Sequence, residues 1–434
     1  MLITLHGLRA DAVEALGGLP GLTPHLDALI AEADWAGAAV APSSRPAAAT
    51  ASLLTGLLPS QHGVRHDGAP LPLELTTLAE ALRELGFQTT GYLSADWMRR
   101  ASGYAQGLGR AQPLAVARAA ERELSGLDGA PRLVWIDLAL PAAPYRRYPA
   151  LLPRLEALGA SVTREALPDR IGRGTVQQVR QRGEPLSEGE LRRWRSLYSL
   201  NVARADQRLG DLLGALRRSG EWDRAVVAVV STRGEELGEY GSIAEGRTLR
   251  RKLIEVPLVV KLPVHLRGRI ALPEPGPGCA VGTVALWSTL VAVAGGRRPP
   301  AVAPGLHEGP GAGVLSELRG SGGLEQLSWV EAGDQLLRTR GRSPRVTGAV
   351  PAGGRAPTTT VGWRWHGDGE EERLLDPQRL AELARRLERA RRLAGGDRET
   401  PPPLGASSPA EAPVDHGRET SQADDGLRYP TGTS

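Results

Sequence analysis

The sequence predicts an α/β fold: a central, mostly parallel sheet flanked by helices, followed by a small antiparallel subdomain. Three observations predict it. Short apolar, β-rich runs alternate with segments of helical periodicity through the first 300 residues. The run 225–230 (AVVAVV) is apolar on both faces, as a strand in the middle of a covered parallel sheet must be. Beyond residue 325 the strand-like runs become shorter and more polar, which suits an antiparallel sheet with one solvated face.

In chain order, the first strand is expected over residues 2–5. A helix follows over 23–33, with Thr23 as N-cap and Pro24 in its first turn. Leucines at helical spacing predict a helix over 78–85 that stops at Gly86, with the next strand beginning at Phe87. The segment 133–136 (LVWI) is a short buried strand by length and composition. Residues 150–190, punctuated by Arg and Pro, are expected to form an insertion or excursion.

A long amphipathic helix is expected over 194–216, with Leu197, Leu200, Ala205, Leu209, Leu212, Leu213 and Leu216 on one face. The strand at 225–230 follows it, and 256–260 continues the sheet. A helix over 281–294 closes at Gly295-Gly296. Residues 300–325 are expected to be a Gly/Pro-rich connector, and strands at 327–330, 335–339 and 358–365 to build the antiparallel part. A helix over 378–393 carries Leu380, Leu383, Leu387 and Leu393 on one stripe and reads as a solvated surface helix. The domains implied are an α/β core over 1–300, a C-terminal subdomain with a terminal helix over 301–394, and a disordered tail over 395–434, where Pro, Ser, Gly and acids dominate.

Composition narrows the function. At 434 residues with 41% hydrophobic side chains, the chain can bury a sizeable core. Its net charge of +4 is small and interspersed, without a basic stripe carrying aromatics, so nucleic acid is not an expected partner. Cys279 is the single cysteine, which excludes an intramolecular disulfide and a Cys-rich metal site. The start, Met-Leu-Ile-Thr-Leu, enters a strand at once and has no secretory pattern. No run reaches the roughly 20 apolar residues of a membrane helix. A cytoplasmic protein, with no membrane partner, is the expectation.

Five segments carry a specific signal: residues 3–11 (ITLHGLRAD), 23–27 (TPHLD), 51–64 (ASLLTGLLPSQHGV), 230–241 (VSTRGEELGEYG) and 256–261 (VPLVVK). In order and spacing they resemble the sulfatase family of the alkaline phosphatase superfamily. There the corresponding strings read I-T-I-D-T-L-R-A-D, T-P-N-L-D, the stretch after the nucleophile, S-D-H-G-E-x-L-G-E-H-G and R-V-P-L-I-V-K. The resemblance implies an alkaline-phosphatase/sulfatase-like fold over roughly residues 1–390. It also implies the family's chemistry: carboxylates from the first strand end and the D-H loop hold a divalent cation, and a metal-activated nucleophile attacks sulfur or phosphorus.

The family's positions carry other side chains here. By its spacing the nucleophile falls on Pro46 and the charge-stabilising Arg on Thr50. The metal positions fall on His6, Gly7, Thr232 and Arg233. In the segment 137–145 (DLALPAAPY), the family's two His become Asp137 and Ala142 and its Asp becomes Leu140; a further His becomes Tyr240. A hard cation needs converging oxygen ligands, whereas these positions offer an imidazole, a glycine, a hydroxyl and a guanidinium. Arg233 is expected to sit where the cation sat, as an internal counter-ion paired with Asp137 or Asp11.

The expectation is a catalytically degenerate binding or assembly module with no cofactor. Arg45 and Arg233 are its anion-binding candidates, and its partner a protein, such as an active homologue, or a sulfate- or phosphate-bearing ligand. The alternative is a divergent hydrolase of sulfate or phosphate esters that uses a divalent cation such as calcium or zinc on shifted ligands. Other polar residues have simpler readings. His62 fixes a turn, His66 and Asp67 belong to a polar loop, and Ser43 and Ser44 are hydroxyls without a base in reach. Glu235, Glu236 and Glu239 are expected to cap the helix that follows them.

Overall fold

The computed structural model describes residues 1–94, 98, 102–113, 124, 130–159, 167–182, 186–276, 280–309, 311, 313–320, 323–341, 358–366 and 371–395. Cys279 and all but the first residue of the expected disordered tail lie outside the described residues.

The first half opens with β1 (Leu2–His6), α1 (Pro24–Glu32), β2 (Trp35–Val40), α2 (Pro46–Thr55), α3 (Pro59–His62) and α4 (Leu78–Glu84). Strands β3 (Gln88–Leu93), β4 (Arg110–Pro113), β5 (Arg132–Pro141) and β6 (Tyr145–Arg146) follow. Then come α5 (Leu152–Ala157), β7 (Arg170–Ile171), α6 (Arg173–Arg182) and the long α7 (Glu188–Arg218). After β8 (Val227–Ser231) a small hairpin, β9 (Glu236–Leu237) and β10 (Ile243–Ala244), leads to α8 (Arg251–Ile254), β11 (Glu255–Lys261) and α9 (Ala285–Val293).

Seven strands form the central sheet in the order β2-β11-β8-β1-β5-β3-β4. Strands β8, β1, β5, β3 and β4 run parallel, and β11 lies antiparallel to both β8 and β2. Alternation sorts the side chains to two faces. Ile3, Leu5, Val227, Val229 and Val259 pack with α1 and α7 on one side. Leu2, Trp135, Ala228, Val230 and Leu258 pack with α2, α4 and α9 on the other. This is why 225–230 reads as apolar on both faces.

Two helix starts are capped by local side-chain chemistry, and a third is capped from a distance. Thr77 and Glu80 form a reciprocal capping box on α4, and Ser187 and Glu190 another on α7. Thr23 precedes α1 without capping it: its hydroxyl donates to Asp27 and accepts from the Glu14 amide. The orphan amides of His25 and Leu26 are taken by the Asp206 carboxylate, which arrives from α7.

Two other expectations are corrected. Residues 150–190 are not a bare excursion, because α5, α6 and a β6–β7 pair occupy much of the segment. The connector at 300–325 contains β12 (Val314–Arg319), the first of five antiparallel strands with β13 (Glu325–Glu331), β14 (Asp334–Arg340), β15 (Thr358–Trp365) and β16 (Glu371–Leu374). The last helix, α10 (Pro377–Leu393), buries Leu383 and Leu387 against this second sheet.

Candidate functional site

Three adjacent parallel strands bring His6, Asp137 and Thr232 together at their carboxyl ends, the place where open α/β sheets usually build sites. His6 is the last residue of β1, Thr232 follows β8, and Asp137 lies opposite Thr4 in the β1–β5 register. His6 Nε2 lies 2.7 Å from Asp137 Oδ1 and His6 Nδ1 lies 2.9 Å from Thr232 Oγ1. A neutral ring that donates Nε2–H to the carboxylate therefore accepts the Thr232 hydroxyl on Nδ1.

Asp137 is fully buried. It also accepts the Thr4 hydroxyl at 2.7 Å, the Ser94 hydroxyl, and the Ser94 amide at 3.3 Å. Burial opposes its ionisation, but the His6 imidazole and the donors around it prevail and hold the carboxyl below its ordinary range. Trp135 Nε1 closes the network from behind by donating to Thr4 Oγ1 at 3.0 Å.

A second buried cluster lies on the loop after β8. The Arg233 guanidinium is 2% exposed and donates to Glu235 Oε1 and the Gly234 carbonyl, both at 3.0 Å. Its other terminal nitrogen lies 3.5 Å from Glu245 Oε2. The expected partners are thus corrected: Asp137 is held by His6, and Asp11 by Arg9 and Lys252. The reason is reach, since Arg233 sits one residue past Thr232 and beside the β9–β10 hairpin.

Burial, with Glu245 adding to it, pushes the Glu235 carboxyl up to about 7 despite the adjacent Arg233. Arg233 stays charged: burial disfavours its cation, but Glu245 and Glu235 outweigh that. Tyr145 packs edge-on against Trp194 and Tyr198, and burial, with Glu235 nearby, pushes its phenol up. Its hydroxyl, Arg233 Nε and Glu235 Oε2 are buried without a hydrogen-bond partner among the described residues.

Gly7 joins the two clusters. It has φ +83°, and a Cβ there would lie 2.9 Å from the Glu235 side chain and 3.0 Å from Ala142 Cα. The backbone around it is fully used, with the Gly7 amide on the Arg233 carbonyl and the Tyr198 hydroxyl on the Gly7 carbonyl. Ala142 is buried and contributes only its amide, to the His6 carbonyl at 2.7 Å.

Pro46 opens α2, so the position that the motif spacing aligns with the family's nucleophile lies in the helix's first turn and carries no reactive atom. Thr50, one turn on, is fully buried, and its hydroxyl and that of Ser44 have no hydrogen-bond partner among the described residues. Arg45 donates to the Arg319 carbonyl at 2.9 Å and pairs with Asp67 at 3.2 Å. Both expected anion-binding guanidiniums therefore already hold carboxylates: Arg45 holds Asp67, and Arg233 holds Glu235 and Glu245. Asp67, read as a loop residue, also accepts the Ala47 amide at the start of α2. His62 bonds Ser52 and accepts the Val64 amide, which ties α2 to the turn after α3; burial holds its imidazole neutral down to about 3.

The acidic residues of the 230–241 segment cap no helix, because a hairpin follows instead. Glu236 accepts the amides of Tyr240 and Ser242, and Glu239 accepts the Leu237 amide and pairs with Arg9 at 2.6 Å. Tyr240, where the family has His, hydrogen-bonds Glu371 of β16 and lies under the Arg250 guanidinium.

These residues do not fit the divalent cation that the fold family implies. A hard cation needs several free oxygen donors. Here the one carboxylate, Asp137, is saturated by four donors. The imidazole has both nitrogens engaged, Gly7 has no side chain or room for one, and a buried guanidinium occupies the fourth position. Among the described residues no group of three or more His, Cys, Asp or Glu could hold a metal. Sequence reasoning missed Glu245, Ser94, Thr4 and Tyr145 as partners. Only the three-dimensional register supplies those contacts, and no local pattern encodes them.

Comparison with known proteins places this geometry in context. The family model described as Sulfatase matches residues 1–123. The multifunctional alkaline phosphatase superfamily protein PehA of Trinickia caryophylli is 30% identical over 79 residues, a match covering 18% of this chain and only 15% of that protein's length. Among solved structures, the 2-O GAG sulfatase BT1596 superposes with TM-score 0.69 at 15% identity, covering 91% of this chain and 92% of its own. The phosphonate monoester hydrolase of Agrobacterium radiobacter superposes with TM-score 0.63 at 16% identity, covering 91% and 95%. No helix among the described residues is long and apolar enough to cross a membrane. Five ordered motifs, a family model over the first 123 residues and a shared architecture point the same way: residues 1–123 match the Sulfatase family model, and the chain has the fold of the sulfatase and phosphonate hydrolase structures.

Proposed function

We propose that this chain is a non-catalytic member of its family, a binding or assembly module on a hydrolase framework. The observation that supports the reading is the buried Arg233–Glu235–Glu245 cluster, a permanent cation at a position that the motif spacing aligns with a metal ligand of the family. Charge neutrality there is already satisfied from within, and a second, divalent cation would be repelled at short range. The Pro46 position adds no nucleophile, and Thr50 replaces the guanidinium that would stabilise the transferring group. What remains is a rigid scaffold whose partner, on this reading, is another protein such as an active homologue.

The test measures metal and turnover together on the full chain. Protein exchanged against zinc, calcium and manganese is assayed for bound metal and for hydrolysis of 4-nitrophenyl sulfate, 4-nitrophenyl phosphate and an aryl phosphonate ester. The last substrate reflects the phosphonate hydrolase neighbour. The expected result is less than stoichiometric metal and no turnover above buffer.

A divergent hydrolase is the second reading, favoured by one observation: Glu235 combines deep burial with a carboxyl pushed to about 7, a pattern often found in acid–base groups. Stoichiometric metal with turnover of any of the three esters establishes that reading and removes the first.

A further inference from the structure

The Arg233 cluster is closed by its own carboxylates, but a cavity beside α2 is not. At about 100° per residue, Pro46 and Thr50 share one face of α2, and Ala48 looks away from it. On Ala48's side lies a cavity of about 530 Å³, between α2, the turn after α3 and the edge of the second sheet. Its size falls in the range of small-molecule sites.

Five guanidiniums line it: Arg65, Arg319, Arg338, Arg340 and Arg391. Carboxylates answer only part of this charge. Glu325 pairs with Arg319 at 2.9 Å, and Glu388, behind the wall, pairs with Arg338 and with Arg391. Glu317 lies on the floor, where its Oε2 accepts the Ser60 amide at 2.6 Å. Burial pushes that carboxyl up, against the pull of Ser60, Arg65 and Arg319. Arg65 and Arg340 make no ion pair among the described residues. Burial and the neighbouring Arg319 lower the proton affinity of the Arg65 cation, against the smaller pull of Glu317 and Glu325. Like charges gathered around one half-enclosed cavity cost free energy unless an anion joins them.

We propose that this cavity binds a small molecule carrying two phosphate groups, with Arg65 and Arg340 as its recognising cations. Phosphate is favoured over sulfate by charge. A phosphate monoester carries about −1.5 to −2 at neutral pH, so group for group it is drawn to the surplus of guanidiniums over carboxyls more strongly than a sulfate ester, which carries a single charge. Each guanidinium fork matches a tetrahedral oxyanion bidentately, and the cavity is far larger than one such group. This site is separate from the degenerate one, and the proposal holds whether or not turnover is ever found.

Calorimetric titration of the full chain at low salt tests it, with inorganic pyrophosphate, orthophosphate and sulfate as probes. The expected outcome is saturable one-to-one uptake of pyrophosphate, about tenfold or more tighter than of orthophosphate or sulfate. Arg65→Gln and Arg340→Gln should each weaken pyrophosphate by about tenfold. Arg340 is exposed, so its substitution reads binding without disturbing the core, and the melting temperature of each variant checks the fold. Absence of pyrophosphate uptake at millimolar concentration, undiminished binding in both variants, or equal affinity for sulfate overturns the proposal.

Discussion

Glu235 is a carboxyl held where water does not reach, with one cation against it and a second carboxyl, Glu245, across that cation. Its proton affinity rises to about 7, so between the ordinary glutamate value and about 7 the folded chain keeps a proton that the unfolded chain has lost. The folded state then binds more protons, and stability falls as pH rises through that window. Glu235→Gln removes the titration while retaining the oxygen that Arg233 donates to. The expected result is that the loss of unfolding free energy between pH 5 and pH 7.5, measured by urea denaturation, shrinks by about 1–3 kcal/mol in the variant. Parallel losses in the two proteins would show that Glu235 titrates normally. At this scale the sequence was informative about identities and silent about partners. The positions of His6, Thr232, Arg233 and Pro46 are legible because flanking packing residues keep the family's spacing. The bonds they make are not, because a guanidinium has several carboxylates within a few residues and only the loop path chooses among them. Nor is the site one substitution from its relatives, since a carboxylate at Gly7 would meet Glu235 and an unfavourable backbone at once.

The C-terminal helix shows the same limit at the scale of elements. Its leucine stripe was legible, but Leu393 does not belong to it: 78% of that residue is exposed, while Leu383 and Leu387 are fully buried. The 3.6-residue repeat explains why. From Leu380 the stripe runs through Leu383, Leu387 and Ala390 to Ala394, and position 393 has rotated off the sheet. Leu383→Ala and Leu387→Ala are each expected to cost about 2–5 kcal/mol, and Leu393→Ala less than about 0.5 kcal/mol, read as shifts in the urea midpoint. A costly Leu393→Ala would place the seam elsewhere. Strand β12 escaped notice for a related reason. Ser316 and Glu317 interrupt its apolar pattern, yet Ser316 donates to the Ala41 carbonyl and the Glu317 amide donates to Pro42. Those acceptors lie some 270 residues away, out of sight of any local window.

Across the whole molecule, the question is whether the second sheet is a domain of its own. Val314, Leu318, Val330 and Leu337 of that sheet share one apolar cluster with Val40 and Val256 of the first sheet and with Ala41, Leu249 and Ile254 from the segments beside it. Polar bonds cross at the same place. Gln335 donates to the Leu249 carbonyl at 2.6 Å, and Gln326 accepts the Leu249 amide at 3.0 Å. A buried amide that loses such a partner costs about 1–3 kcal/mol, and the exposed apolar cluster adds to that. Separating the sheets while both stay folded is therefore unfavourable on two counts, and residues Met1–Gly396 group as one compact unit. The boundary near residue 300, expected from composition, then marks a change of architecture and not a point of independent unfolding. Hydrogen exchange through a denaturant series is the measurement. Peptides spanning β8 and β11 and peptides spanning β13 and β14 are expected to lose protection at the same midpoint. Earlier loss in the second sheet would show that it unfolds on its own and that the shared cluster contributes little to cooperativity.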